Sequence, residues 1–219
     1  MSILRTLQHR SWENGYRVSE SLLEYSPSAK LLDVGCSDGE RTTRWAKQIG
    51  TSDVVGIDAK DMNFPYKFVQ GNLDEGLPFE DKLFDVVTAE EVIEHVNNTD
   101  LFIKEIRRVL KPGGYVMIGT PNLASGRVIV ELLLNKQPNI CHVSDHFIPR
   151  GDPGQEWKKS EGYLHRRTFT SEGLRRLLEF HGMKVEQIKK VGYGPFVFGV
   201  LLRGLYAGSL RARARRGGQ

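Results

Sequence analysis

Residues 30–44 read KLLDVGCSDGERTTR. An apolar run (Leu31, Leu32, Val34) surrounds the acid Asp33, turns through Gly35-Cys36-Ser37-Asp38-Gly39 and enters a polar helix starter. Strand, glycine turn and helix in that order bring backbone N–H groups to a helix start, where they attract anionic or polar ligand atoms. Glycines without a Cβ let the main chain approach such a ligand closely. The turn is not the dinucleotide-binding fingerprint Gly-x-Gly-x-x-Gly, because those positions, counted from Gly35, hold Gly35, Ser37 and Glu40.

The chain after this turn alternates strand and helix. Residues 40–49 predict a helix, and residues 53–57 a second strand that ends in Asp58, followed by Ala59. An acid about 20 residues beyond a glycine turn is suited to bonding ribose hydroxyls; Asp61 is its nearest rival. Residues 66–70 predict a third strand leading to Gly71-Asn72-Leu73. Residues 83–88 are almost continuously apolar, as expected of a strand buried on both faces. Residues 89–96, AEEVIEHV, then leave the carboxyl end of that strand, where open α/β sheets place ligands. Glu91, Glu94 and His95 are candidates for positioning an acceptor or taking its proton, and a histidine has the unperturbed pKa for a base near neutrality. The plainer alternative is a helix start with acids in its first turn. Residues 100–110 predict a helix, Lys111-Pro112-Gly113-Gly114 its terminator and turn, and residues 115–120 a fifth strand. The expected fold is α/β and Rossmann-like: a mostly parallel central sheet with helices on both faces.

Asp33, Gly35, Ser37 and Gly39 resemble motif I of the class I S-adenosylmethionine-dependent methyltransferases, acidic-x-Gly-x-Gly-x-Gly, with Ser37 replacing the middle glycine. Asn72 stands where members commonly carry an aspartate, and its amide oxygen can still accept from an exocyclic amine. The AEEVIEHV stretch resembles the Glu-His-Val box of small-molecule methyltransferases, including ubiquinone-biosynthesis O-methyltransferases. Leu-Lys-Pro-Gly-Gly before the fifth strand and Thr120-Pro121-Asn122 after it resemble the same families. So does the later run His165, Phe169-Thr170, Leu177-Leu178 and His181-Gly182-Met183-Lys184-Val185. The resemblance implies S-adenosyl-L-methionine as cofactor and S-adenosyl-L-homocysteine as product. It places Asp33, Gly35, Cys36, Ser37 and Gly39 at the cofactor turn, Asp58 and Ala59 at the ribose, Asn72 and Leu73 at the adenine, and Glu90 at the methionine end. The implied reaction is methyl transfer, with an oxygen of a small-molecule, lipid-linked or sugar acceptor as the favoured target.

A chain of 219 residues is most simply one domain. The expected parts are an N-terminal helical cap (1–28), the cofactor core (29–122), an acceptor-pocket insert (123–168), a last helix and strand (169–194) and an apolar then basic tail (195–219). Within the insert, His142 and His146 are four apart with Asp145 alongside; they are candidates for acceptor binding or proton acceptance. No metal site is assigned there, because spacing fixes no third ligand. Two cysteines, Cys36 and Cys141, make no disulfide framework, so a reducing cytoplasm is the default. No signal peptide is visible and no apolar run reaches the ~18 residues of a spanning helix.

The net charge of +4 is concentrated at the end of the chain. Residues 195–219 hold five arginines and no acid, leaving 26 basic against 27 acidic residues elsewhere. That balance excludes a broadly basic nucleic-acid-binding face. A seventh strand is expected at Phe196–Leu202 or not at all, with RARARRGGQ as a disordered basic tail and peripheral membrane contact through 195–216 as its other role. Two rivals remain at this point: a nucleic-acid methyltransferase, supported only by that basic tail, and a cofactor-binding protein without activity.

Overall fold

The computed structural model describes residues 13–144, 164–192 and 207–217. A helix over 13–20 (α1) is followed by β1 (Leu31–Val34), α2 (Glu40–Ile49), β2 (Val54–Asp58), β3 (Lys67–Gln70), β4 (Phe84–Glu90), α3 (Thr99–Val109), β5 (Leu110–Pro121), α4 (Gly126–Leu133), α5 (Ser171–Phe180), β6 (Met183–Gly192) and β7 (Ala207–Arg216). The strands form one sheet in the order β3-β2-β1-β4-β5-β7-β6. β1 to β5 pair in parallel, and β7 runs antiparallel to both β5 and β6. Because β1 lies between β2 and β4, the strand order reverses there. A crevice therefore opens at the carboxyl ends of β1 and β4.

Amphipathic helices cover both faces, as a parallel sheet requires. On one face α2 buries Trp45, Ala46 and Ile49 beside Leu22 and Leu23 of the N-terminal segment. On the other, Phe102, Ile103 and Ile106 of α3 and Leu174 and Leu178 of α5 pack with Val87, Val116 and Ile118 of the sheet. Helix starts carry the side-chain caps that satisfy orphan N–H groups: Asn98 accepts from Leu101 N and Thr170 from Gly173 N.

Two expectations need correction. Residues 111–114 are not a loop before the fifth strand. Leu110 is already extended and pairs with Phe84, and the register slips before Val86 meets Tyr115. Gly113, at φ +78, absorbs the irregularity.

The larger correction concerns the end of the chain. The seventh strand is Ala207–Arg216, whereas Phe196–Leu202 lies outside the described residues. The arginines are not a disordered tail, nor are 207–216 free to lie on a membrane. Alternation places Leu210, Ala212 and Ala214 in the core on one face. Arg211, Arg213 and Arg215 point to the other face, where Arg213 and Arg215 reach Glu24 at 3.0 Å each and Glu186 at 2.7 and 2.6 Å. Arg216 donates to the carbonyls of Arg107, Arg108 and Leu110, tying up orphan acceptors at the end of α3. Among the described residues, no helix is long and apolar enough to cross a membrane.

Candidate active site

The glycine turn lies at the carboxyl end of β1. Gly35, Ser37 and Gly39 all have positive φ (72°, 50° and 80°). The serine in the middle position thus keeps the left-handed backbone that a glycine adopts without cost. Ser37 N donates to Asp58 Oδ2 at 2.9 Å, and Ala59 N to Asp58 Oδ1 at 2.7 Å. Each carboxylate oxygen retains a lone pair, so Asp58 fits a vicinal diol while bracing the turn. Ala59 is exposed beside it, its carbonyl held by Gln70 Nε2. Asn72 and Leu73 open the turn after β3. The Asn72 amide donates to Glu75 and accepts from Asp74 N, so its oxygen already has one donor.

Asp33 and Cys36 lie beneath the turn rather than lining it. The Cys36 thiol is buried against Phe64 and Gly56, and burial pushes it up to about 12. Asp33 accepts from Thr42 Oγ1 on α2 and, at 2.6 Å, from Thr88 Oγ1 on β4, joining three elements below the cofactor crevice. Burial pushes its carboxyl up to about 6 from the ordinary 3.8, against the pull of those hydroxyls.

Between about pH 4 and pH 6 the native state therefore holds a proton that the unfolded chain has released, so stability falls as pH rises through that window. Urea unfolding at about pH 4.5 and pH 7 should show a loss of roughly 2 kcal/mol that Asp33→Asn removes. An unchanged pH slope in the variant would place the effect elsewhere.

The end of β4 carries the chemistry. Residues 93–95 form a single turn rather than a helix start, and α3 begins only at Thr99. Glu90 is buried; its carboxylate meets Arg211 Nη2 at 2.7 Å and accepts from Ser19 Oγ at 2.8 Å. Its carbonyl accepts from Arg41 Nη1 at 3.1 Å. Glu91, at φ +58, pairs with Arg211 Nη1 at 3.1 Å. Glu94 is buried. Its Oε2 accepts from Thr120 Oγ1 at 3.0 Å, while Oε1 has no hydrogen bond among the described residues. Burial, reinforced by the charge of Glu91, holds the Glu94 carboxyl well above the ordinary 4.5.

His95 and His142 meet at a third ring, His165. His165 stacks on His142 (4.7 Å between centroids, 16°) and meets His95 edge-on at 5.1 Å. The Nδ1 atoms of His95 and His165 lie 3.1 and 3.0 Å from the carbonyls of Leu164 and Ile140. A carbonyl only accepts, so each Nδ1 carries the hydrogen and each Nε2 is the basic nitrogen. Burial lowers all three histidines from the ordinary 6.5. His146 lies outside the described residues.

One ligand atom each from Glu94, His95 and His165 lies within 4.8 Å of the others. The Glu94 oxygen that lacks a hydrogen bond, 3.9 Å from His95 Nε2, and the carbonyl-fixed imidazoles suit a divalent cation. Nothing in the sequence places His165 with AEEVIEHV; its only signal was its place at the head of the later run that resembles the same families.

Sheet order, antiparallel seventh strand, glycine turn and terminal acid of β2 together define a class I S-adenosylmethionine-dependent methyltransferase, with S-adenosylmethionine as its cofactor. Residues 8–188 match the family model described as a methyltransferase domain, and the chain belongs to that family. It is 32% identical over 185 residues to the mitochondrial ubiquinone biosynthesis O-methyltransferase of Rattus norvegicus, an alignment covering 76% of this chain and 48% of that protein. The chain spans about half the length of the curated relatives it matches. Among solved structures, it resembles a chain from the complex of the Haloferax volcanii Trm112 methyltransferase activator with a methyltransferase (TM-score 0.66, 14% identity, 98% and 93% of the two chains). It also resembles an S-adenosylmethionine-dependent methyltransferase of Mesorhizobium loti (TM-score 0.62, 16% identity, 93% and 98%).

Proposed function

We propose that this enzyme O-methylates a hydroxyl on an apolar, quinone-type ring. The carrying observation is the group of lowered-pKa imidazoles, His95 and His165, beside buried Glu94 at the end of β4. The relatives named for ubiquinone biosynthesis support the acceptor class. So does α4, directly after β5, which exposes Val130, Leu132 and Leu133 with Leu134 and Val143 nearby. Bound S-adenosylmethionine supplies an electrophilic methyl. His95 Nε2 takes the hydroxyl proton as the acceptor oxygen attacks, while the residues around Asp58 and Glu90 align the two partners. The nucleic-acid reading loses its support, because Arg211, Arg213 and Arg215 pair with acids inside the fold. Two free cysteines accord with a reducing compartment such as the cytoplasm.

The test is transfer of a labelled methyl group to a panel of hydroxylated aromatic rings, with and without isoprenoid tails, alongside RNA, DNA and protein. Labelling of a tailed phenol is the expected result. Labelling confined to macromolecules would overturn the proposal.

A second reading is favoured by the Glu94–His95–His165 group: a divalent cation held there would acidify the hydroxyl. Loss of turnover in a chelator, restored by one added metal, would select it over the metal-free base.

A further inference from the structure

The most connected buried charge outside the sequence-assigned site is Arg211. Its side chain is 3% exposed although it lies in the final strand; apart from the adjacent Leu210 carbonyl, which accepts from Nη1 at 2.8 Å, the groups described next lie far along the chain. Nη2 meets Glu90 at 2.7 Å, Nη1 meets Glu91 at 3.1 Å and Nε donates to Ser19 Oγ at 3.1 Å. Ser19 in turn donates to the second Glu90 oxygen at 2.8 Å, closing the network on α1. Directly opposite Arg211 in the sheet is Gly119. A Cβ there would lie 3.0 Å from Arg211 Nε and from Glu90 Cγ, so the missing side chain makes room for the pair. On its other side, Glu90 is tied through its carbonyl to Arg41 of α2, just past the glycine turn.

We propose that Arg211 is a positioning residue for methyl transfer, fixing the Glu90–Glu91 corner so that the methionine half of the cofactor is held between β1, β4 and α1. This rests on the assignment of S-adenosylmethionine as cofactor and on no assumption about the acceptor. Arg211 touches no reacting atom; it acts through the two carboxylates and the cap serine. A planar fork can engage several oxygens at once, whereas a lysine ammonium meets them as a point charge. Removing the guanidinium leaves Glu90 buried without its counter-charge, and the corner must then rearrange. Glu91 adds strain of its own, since a left-handed conformation in a non-glycine residue persists only where its surroundings impose it. Asp58, two strands away across β1, holds the nucleoside half independently of Arg211.

The experiment is calorimetric titration of S-adenosylhomocysteine and of 5′-methylthioadenosine, which lacks the amino-acid moiety, into wild type, Arg211→Lys and Arg211→Met. The expected result is S-adenosylhomocysteine weakened by about tenfold or more in Arg211→Met and less in Arg211→Lys, with methylthioadenosine within about twofold in both. A merely structural role would weaken both ligands together, and that outcome, or no change in either, overturns the proposal. Should Arg211→Met not fold, Arg211→Lys decides by the same split between ligands. The readout needs no acceptor, so an error in the proposed substrate leaves it standing.

Discussion

A chain ending at Tyr206 is expected to show no cooperative thermal transition. The sequence after that point looks dispensable: ten residues, four of them arginine, then Gly-Gly-Gln. In the structure those ten residues are β7, placed between β5 and β6. Without them β6 has no neighbour in the sheet, and the apolar face of Leu210, Ala212 and Ala214 is missing from the main core. Glu90 also loses the ion pair made by Arg211. Breaking a buried pair from one side costs about 3–5 kcal/mol, a large part of the 5–15 kcal/mol that holds an ordinary domain together. Circular dichroism against temperature reads the outcome. A truncated chain melting within a few degrees of the full chain would show that β7 carries little of the stability.

The strand–turn–helix frame of the cofactor half was legible in the sequence because its signals are local. Strand, turn and helix follow one another within residues 30–44; that Asp58 also braces the backbone of Ser37 is something only the fold shows. Ser37 and Asn72 looked like defects in the pattern. Ser37 takes the left-handed backbone of the glycine it replaces, and Asn72 organises the turn after β3. Asp33 and Cys36 belong to the cofactor turn by sequence, and only the fold shows that their side chains are buried beneath it. β7 was misread because charge outweighed alternation. RARAR repeats with period two, as a strand does, but arginines are buried only when paired. Their partners, Glu24, Glu90 and Glu186, are scattered along the chain. His165 was obscured in the same way, since it meets His95 and His142 only once residues 140–142 and 164–166 are brought together beside His95.

His95→Asn is expected to lower kcat by about 100- to 10,000-fold while leaving the affinity for S-adenosylhomocysteine within about twofold. The contact from His95 Nδ1 to the Leu164 carbonyl fixes the tautomer, which puts the basic lone pair on Nε2. That atom lies 3.9 Å from Glu94 Oε1, at the mouth of β4 rather than under the glycine turn, so proton transfer and cofactor binding are separable. Burial above all, with a smaller contribution from His142, lowers the pKa of His95, outweighing the opposing pull of the Leu164 carbonyl and of Glu91. The ring is then neutral at pH 7, and kcat/KM should fall only as pH drops below the ordinary histidine range. Steady-state kinetics across pH, paired with calorimetry, reads both effects, and a kcat within about threefold of wild type would remove His95 from the reaction. His165→Asn separates the two ways His95 can act. If His95 is the base alone, His165 only supports its environment, and the second variant keeps most of the rate. If a cation is shared between them, the two variants fall together and excess metal partly restores both.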